Sequence, residues 1–295
     1  MTLLPYLALL GCGALDAGAD PVIEAHRGAA GNWPQNGALA MTESIAAGYD
    51  GLEFDLVLSA DDQALLAHDP WVHQKHCTWA DGSEITEELL ISDFTLAELQ
   101  EQFLCGGPED PEFPDAELLA EPMMSWEELL DALQDSDPEM LVHIDIKYER
   151  DGLTPPPEDF ARVVMDAWDA AALPNPYYVS ANTEETIQAF EARDPAIPTS
   201  LAWPRFPPGE SAAAVALKAE FLTALGVHEL VDIARDAEAD GLAIPYQVIE
   251  RRQVDVMLDA GLQVQIWTLN EEDLLKHYAK WPVQSLITDY PERAP

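Results

Sequence analysis

Glu53 and Asp55 stand two residues apart in the run GLEFDLVL, and His143, Asp145 and Lys147 repeat that spacing in HIDIK. Residues i and i+2 of a strand share a face, so each set would present its polar groups on one side of an apolar run. Carboxylates crowded together in such surroundings repel each other, and the pKa of one rises. A hard divalent cation held by oxygen ligands removes the conflict. Asp145 would complete a set of three carboxylates, with water or substrate filling the remaining positions. Lys147, one step nearer the strand end, would face a bound anion.

Two histidines belong to the same chemistry. His26 ends the run VIEAH and is followed by Arg27, and His68 ends QALLAH and is followed by Asp69. Near a metal, an arginine and a lysine, such a pair suits phosphoryl transfer. One imidazole takes a proton from an attacking hydroxyl and the other returns one to the leaving alkoxide. The cations offset charge that builds on the phosphoryl oxygens. Any one of these pairs alone reads as a satisfied core group or an internal salt bridge; the combination points to a site.

The elements that must position these residues alternate along the chain. Strand-like runs lie at 22–26, 51–58, 141–147, 177–181, 199–203, 241–245, 264–269 and 285–289, with 63–68 reading as the return of a hairpin turned at Ser59 to Asp62. Helical patterns fall at 37–48, 125–134, 158–171, 183–192, 228–239 and 250–260. This alternation predicts βαβ units and a parallel sheet. Eight strands make a TIM-type (β/α)8 barrel of the α/β class the economical reading, with a small insertion after the second strand. A doubly wound open sheet is the alternative, but no Gly-rich dinucleotide fingerprint follows the first strand. Barrel sites lie at the C-terminal strand ends, where His26, Asp55 and Lys147 fall. Residues 70–121 break the alternation and read as an insertion beside the barrel mouth, partly helical at 95–104 and carrying Cys77 and Cys105. Those cysteines would either be free thiols or form a bridge worth roughly 3 kcal/mol by loop closure.

Composition narrows the partners. The 295 residues carry 14 Lys and Arg against 55 Asp and Glu, a formal charge of −41. Such a field repels nucleic acid and anionic membrane surfaces. Residues 1–20 read as a leader: Leu3 to Leu10 are apolar but too few to span a bilayer, and no Lys or Arg precedes them. Leu9-Leu10-Gly11-Cys12 is similar to a bacterial lipobox, which implies cleavage before Cys12, a lipid anchor there as the sole membrane contact, and an exported, periplasmic or cell-surface protein. Residues 21–295 would then form the single barrel domain.

HRGAAGNWPQN, GYDGLEFDLVLSADDQALLAHDP, HIDIK, VQIWTLN and LITDYPE occur in that order from about residue 22 to 292. Together they resemble the glycerophosphodiester phosphodiesterase family of TIM-type barrels. The resemblance implies a metal-dependent hydrolase that splits glycerophosphodiesters into sn-glycerol 3-phosphate and an alcohol. It implies His26 and His68 as the acid/base pair and Glu53, Asp55 and Asp145 as ligands to one divalent cation, calcium or magnesium. Arg27 and Lys147 become phosphate contacts, and Trp267 lines the pocket for the alcohol; Asp289 reads as structural. The glycines after Arg27 would let the backbone approach the anion. Three features depart from the pattern or add to it. Gln35 stands where the family's acidic residue is expected. Asp145 is one methylene shorter than the usual glutamate, which moves the ligand back about 1.5 Å. Glu24 adds an interior carboxylate, expected to pair with Lys147 or Arg27. Two other readings remain: a sphingomyelinase D-like phospholipase acting on lysophospholipids or sphingomyelin, and a surface lipoprotein that has lost catalysis.

Overall fold

A computed structural model of the chain describes residues 20–203 and 227–295. The leader and Cys12 lie outside the described residues.

Hydrophobic alternation closes the chain into a barrel. Strand β1 (Val22–Ala25) pairs in parallel with β2 (Gly51–Leu58) on one side and with β11 (Ser285–Thr288) on the other. Between them the ring continues through β6 (Leu141–Ile146), β7 (Tyr177–Ala181), β8 (Thr199–Ala202), β9 (Gly241–Pro245) and β10 (Gln263–Trp267), every neighbour parallel. The expected eight-stranded barrel is thus formed, and surrounding helices cover it. In β2 the two periodic faces separate cleanly. Leu52, Phe54 and Leu56 join the apolar layer beneath the helices, where Phe54 packs on Trp126 with ring centroids 5.4 Å apart. The alternate residues Glu53 and Asp55 face the interior.

The helix that carries Trp126 starts where the sequence provides a cap. Ser125 accepts from the Glu128 amide and the Glu128 carboxylate accepts from the Ser125 amide, which satisfies two orphan donors at once. A short helix at Glu272–Tyr278 escaped the sequence reading; seven residues give too few turns for a clear 3.6-residue period.

The segment after β2 builds a satellite of its own. β3 (Ala64–Leu66) returns antiparallel to β2, and β4 (Cys77–Trp79) pairs antiparallel with β5 (Phe103–Cys105). Cys77 and Cys105 are joined by a disulfide across that pair. Val72, Ile85, Ile91, Leu99 and Phe103 form a small core with Val57 and Leu65 of the hairpin. A second core and a covalent cross-link together explain how so long an excursion holds one shape. Strands of three residues carry almost no period-2 signal, so this hairpin was invisible in the sequence.

Candidate active site

Register brings the predicted carboxylates together. Asp55 lies opposite Asp145, and Glu53 opposite His143, in the β2–β6 ladder. Glu53, Asp55 and Asp145 each offer an oxygen within 4.8 Å of the others, so the shorter Asp145 still reaches the common point. Its Oδ1 is buried with no hydrogen-bond partner among the described residues. Burial, reinforced by neighbouring Asp55, pushes the Glu53 carboxyl up to about 8. Three crowded carboxylates, one of them held protonated by burial and by its charged neighbour, form a donor set suited to one hard divalent cation.

Cations crowd the rim of this cluster. Lys147 Nζ sits 2.5 Å from Asp145 Oδ2 and 2.9 Å from Asp55 Oδ1, so here it bridges two carboxylates. Arg27 Nε lies 3.3 Å from Asp55 Oδ2. Burial alone would raise Asp55, but Lys147 and then Arg27 reverse the sign and hold it below the usual carboxylate range. Arg27 adopts a left-handed backbone with φ of 49°, a conformation that costs a non-glycine residue of order 1 kcal/mol. Its amide donates to Glu53 Oε2 at 2.6 Å, which ties the turn to the acidic cluster. Gly28 follows at φ +75°, and a Cβ there would lie 2.9 Å from both Ala40 Cβ and Met41 Cε. Close packing on the first helix and a left-handed turn therefore require that glycine.

Each histidine is held by a carboxylate through Nδ1. His26 Nδ1 is 2.6 Å from Asp289 Oδ1 and His68 Nδ1 is 3.1 Å from Asp69 Oδ1. A carboxylate can only accept, so the proton sits on Nδ1 and leaves Nε2 free for proton transfer. Burial first, then Arg27 and Lys147, lower the His68 pKa, so this ring is neutral at pH 7. Asn270 Nδ2 donates to the second oxygen of Asp289 at 2.6 Å. Asp289, read from the sequence as structural, thus orients His26. Asp289→Asn is expected to lower kcat by about 10–100-fold, the range for removing a carboxylate that fixes a functional histidine; steady-state kinetics checks this.

One further residue of the site was missed. Asn36 donates to Asp55 Oδ2 at 2.7 Å and accepts from the Asp55 amide at 3.1 Å, clamping that ligand from both sides. Its place after Pro34-Gln35 was the available signal. Glu24 takes a different partner from the one expected. It accepts from His143 Nδ1 at 2.7 Å and from the Tyr178 hydroxyl at 3.0 Å. The register β1 Glu24 to β2 Gly51 places Glu24 below the Glu53 layer, whereas Lys147, after the far end of β6, pairs with Asp145 and Asp55, and Arg27 with Asp55.

A cavity of about 570 Å³ opens between the barrel mouth and the insertion. Arg27, Asn36 and His68 line one side, and Trp71, His76 and Asp110 the other. His26, Lys147 and Trp267, the last half-buried at the end of β10, do not belong to this lining.

Comparisons with known proteins accord with this geometry. A family profile described as the glycerophosphoryl diester phosphodiesterase family matches residues 26–293. A Silicibacter pomeroyi protein described as a glycerophosphoryl diester phosphodiesterase superposes with a TM-score of 0.78 at 22% identity, covering 95% of this chain and 94% of its own. An Oleispira antarctica phosphodiesterase, solved with the product sn-glycerol-3-phosphate, superposes at 0.67 with 21% identity over 93% of this chain and 95% of its own. A stretch of 47 residues is 47% identical to the uncharacterized YqiK of Bacillus subtilis, covering 16% of this chain and only 19% of that protein.

Proposed function

Since the chain belongs to the glycerophosphoryl diester phosphodiesterase family, we propose that it hydrolyses glycerophosphodiesters to sn-glycerol 3-phosphate and an alcohol. The observation that carries this reading is the pair of histidines, each fixed by a carboxylate through Nδ1, beside a rim that holds Arg27 and Lys147 over three carboxylates.

Arg27 and Lys147 bind the anionic phosphodiester against the −41 field of the chain. His68, neutral at pH 7, accepts the proton of the attacking hydroxyl through Nε2. His26, held through Nδ1 by Asp289, enters the step carrying a second proton on Nε2 and gives it to the departing alkoxide, so that the alcohol leaves neutral and the ring is left uncharged. The attacking hydroxyl is the substrate's own glycerol hydroxyl; the cyclic phosphate so formed is opened by water with the same two groups in reversed roles. Glu53, Asp55 and Asp145 would hold a calcium or magnesium ion, whose charge offsets that of the phosphoryl oxygens. The departures at positions 35 and 145 leave these contacts in place, which supports activity over a purely structural role. The Cys77–Cys105 disulfide supports an oxidising, exported location.

The test is release of sn-glycerol 3-phosphate from glycerophosphocholine by the purified protein, assayed with calcium and with magnesium. Absence of that product with either ion would remove the proposal.

A further inference from the structure

Between Arg27 of the barrel mouth and Asp110 of the insertion stands a single side-chain amide. Gln35 Oε1 lies 2.5 Å from Arg27 Nη1. Gln35 Nε2 lies 3.3 Å from Asp110 Oδ2 and 3.4 Å from His76 Nε2. His76 Nδ1 is in turn 3.5 Å from the same Asp110 oxygen.

The donor and acceptor roles in this group close in one way. A guanidinium only donates, so the amide oxygen must face Arg27. The amide nitrogen then donates to Asp110 and toward the lone pair of His76 Nε2, which places the ring proton on Nδ1, facing Asp110. That tautomer requires a neutral ring. Burial, then the neighbouring His73, bring the His76 pKa down to about 4, which meets the requirement at pH 7. A glutamate at position 35, the residue type the family resemblance leads one to expect, would keep the contact to Arg27 and spoil the rest. Its second oxygen would meet the Asp110 carboxylate and the lone pair of His76, two repulsive contacts in place of two attractive ones.

We infer that Gln35 is a positioning residue that couples the insertion to the phosphate-binding Arg27, its neutral amide standing where an acid would fail because Asp110 already supplies the negative charge. The insertion is thereby part of the phosphate site. The disulfide holds the coupling in place, because His76 immediately precedes Cys77 and the 106–110 turn follows Cys105 directly. The inference rests on the proposed reading of Arg27 as a phosphate contact, and it accounts for a departure from the family pattern as a change matched elsewhere in this chain.

The experiment compares wild type, Gln35→Glu, Gln35→Met and the double variant Gln35→Glu/Asp110→Asn. Two readouts are taken: turnover of glycerophosphocholine and calorimetric binding of inorganic phosphate. Gln35→Glu is expected to lower kcat/KM about tenfold, mainly through KM, and to weaken phosphate binding by a similar factor, the pattern for losing ground-state binding. Gln35→Met, which carries no charge and cannot repel Asp110, should show the same split to a smaller degree. In the double variant the amide introduced at position 110 can donate to the carboxylate introduced at position 35. There kcat/KM is expected to recover to within roughly threefold of wild type, as coupled neighbours do. Gln35→Glu matching or exceeding wild type in both readouts, or a double variant no better than the single, overturns the coupling. A wild type that binds phosphate but releases no glycerol 3-phosphate counts against the hydrolase reading, while phosphate binding across the variants still tests the coupling.

Discussion

His26→Ala is expected to lower kcat by about 10²–10⁴-fold while leaving KM within roughly threefold, the signature of losing a proton-transfer group rather than a binding contact. The geometry sets this expectation. His26 follows the last residue of β1, where the backbone turns into the mouth, and its ring is anchored at 2.6 Å to Asp289 from the opposite end of the chain. Its Nε2 is 4.0 Å from Glu53 Oε2 and makes no shorter ion pair there, so it is available to a substrate. The ring is 18% exposed, so truncation opens the mouth without leaving a sealed core void, and the melting temperature should change little. The outcome that would falsify the assignment is a variant that folds normally and retains wild-type kcat. An equal rise in KM with kcat preserved would move His26 from proton transfer to substrate binding.

The second large effect concerns charge in the acidic cluster. Removal of divalent cations by a chelator is expected to abolish activity, with recovery on adding calcium or magnesium. The accompanying thermodynamic signature follows from Glu53. Its folded pKa is raised to about 8, above the ordinary glutamate value of about 4.3. Between those values the folded cation-free protein keeps a proton that the unfolded chain has released, so stability falls as pH rises through that window. Below the lower value both states are protonated and the contribution is fully present. A cation that binds the ionised carboxylate reverses the preference. Stability in chelator should therefore decline from about pH 5 to pH 8, and cation at 100 times its Kd should add about 2.7 kcal/mol. At pH 7 its binding should release close to one proton, since a ligand carboxyl must be deprotonated; calorimetry in buffers of differing ionisation enthalpy measures that number. Cation binding without proton release would show that Glu53 is already ionised and that the cluster is balanced by Lys147 and Arg27 alone.

The barrel was readable because its signals are local. Each strand that carries chemistry announces itself by polar residues at every second position in an apolar run, as in Glu53/Asp55 and His143/Asp145, and that period survives without knowledge of any neighbour. The helices between them repeat their apolar positions over enough turns to be counted. The short hairpin of the insertion and the helix Glu272–Tyr278 failed on the same ground, being too brief to show a period. The residue types of the site were likewise visible, since its histidines and carboxylates fall within or at the ends of apolar runs.

Partnerships were not visible, because they join residues far apart in the chain. Asp289 reaches His26 across 263 positions, and Glu24 reaches His143 across 119. Only closure of the barrel and the register of its ladders decide which carboxylate meets which imidazole. For Glu24 the register replaced the expected pairing with Lys147 or Arg27 by one with His143 and Tyr178. Gln35 shows the same division in one side chain. The sequence by itself determined that the expected acid was absent from the loop after His26 and Arg27. The tertiary structure decided what that absence means, by folding Asp110 and His76 of the insertion against the amide. Strand period, and with it the barrel, is written in the spacing of adjacent residues, whereas charge pairing depends on distances in space that one-dimensional spacing does not encode.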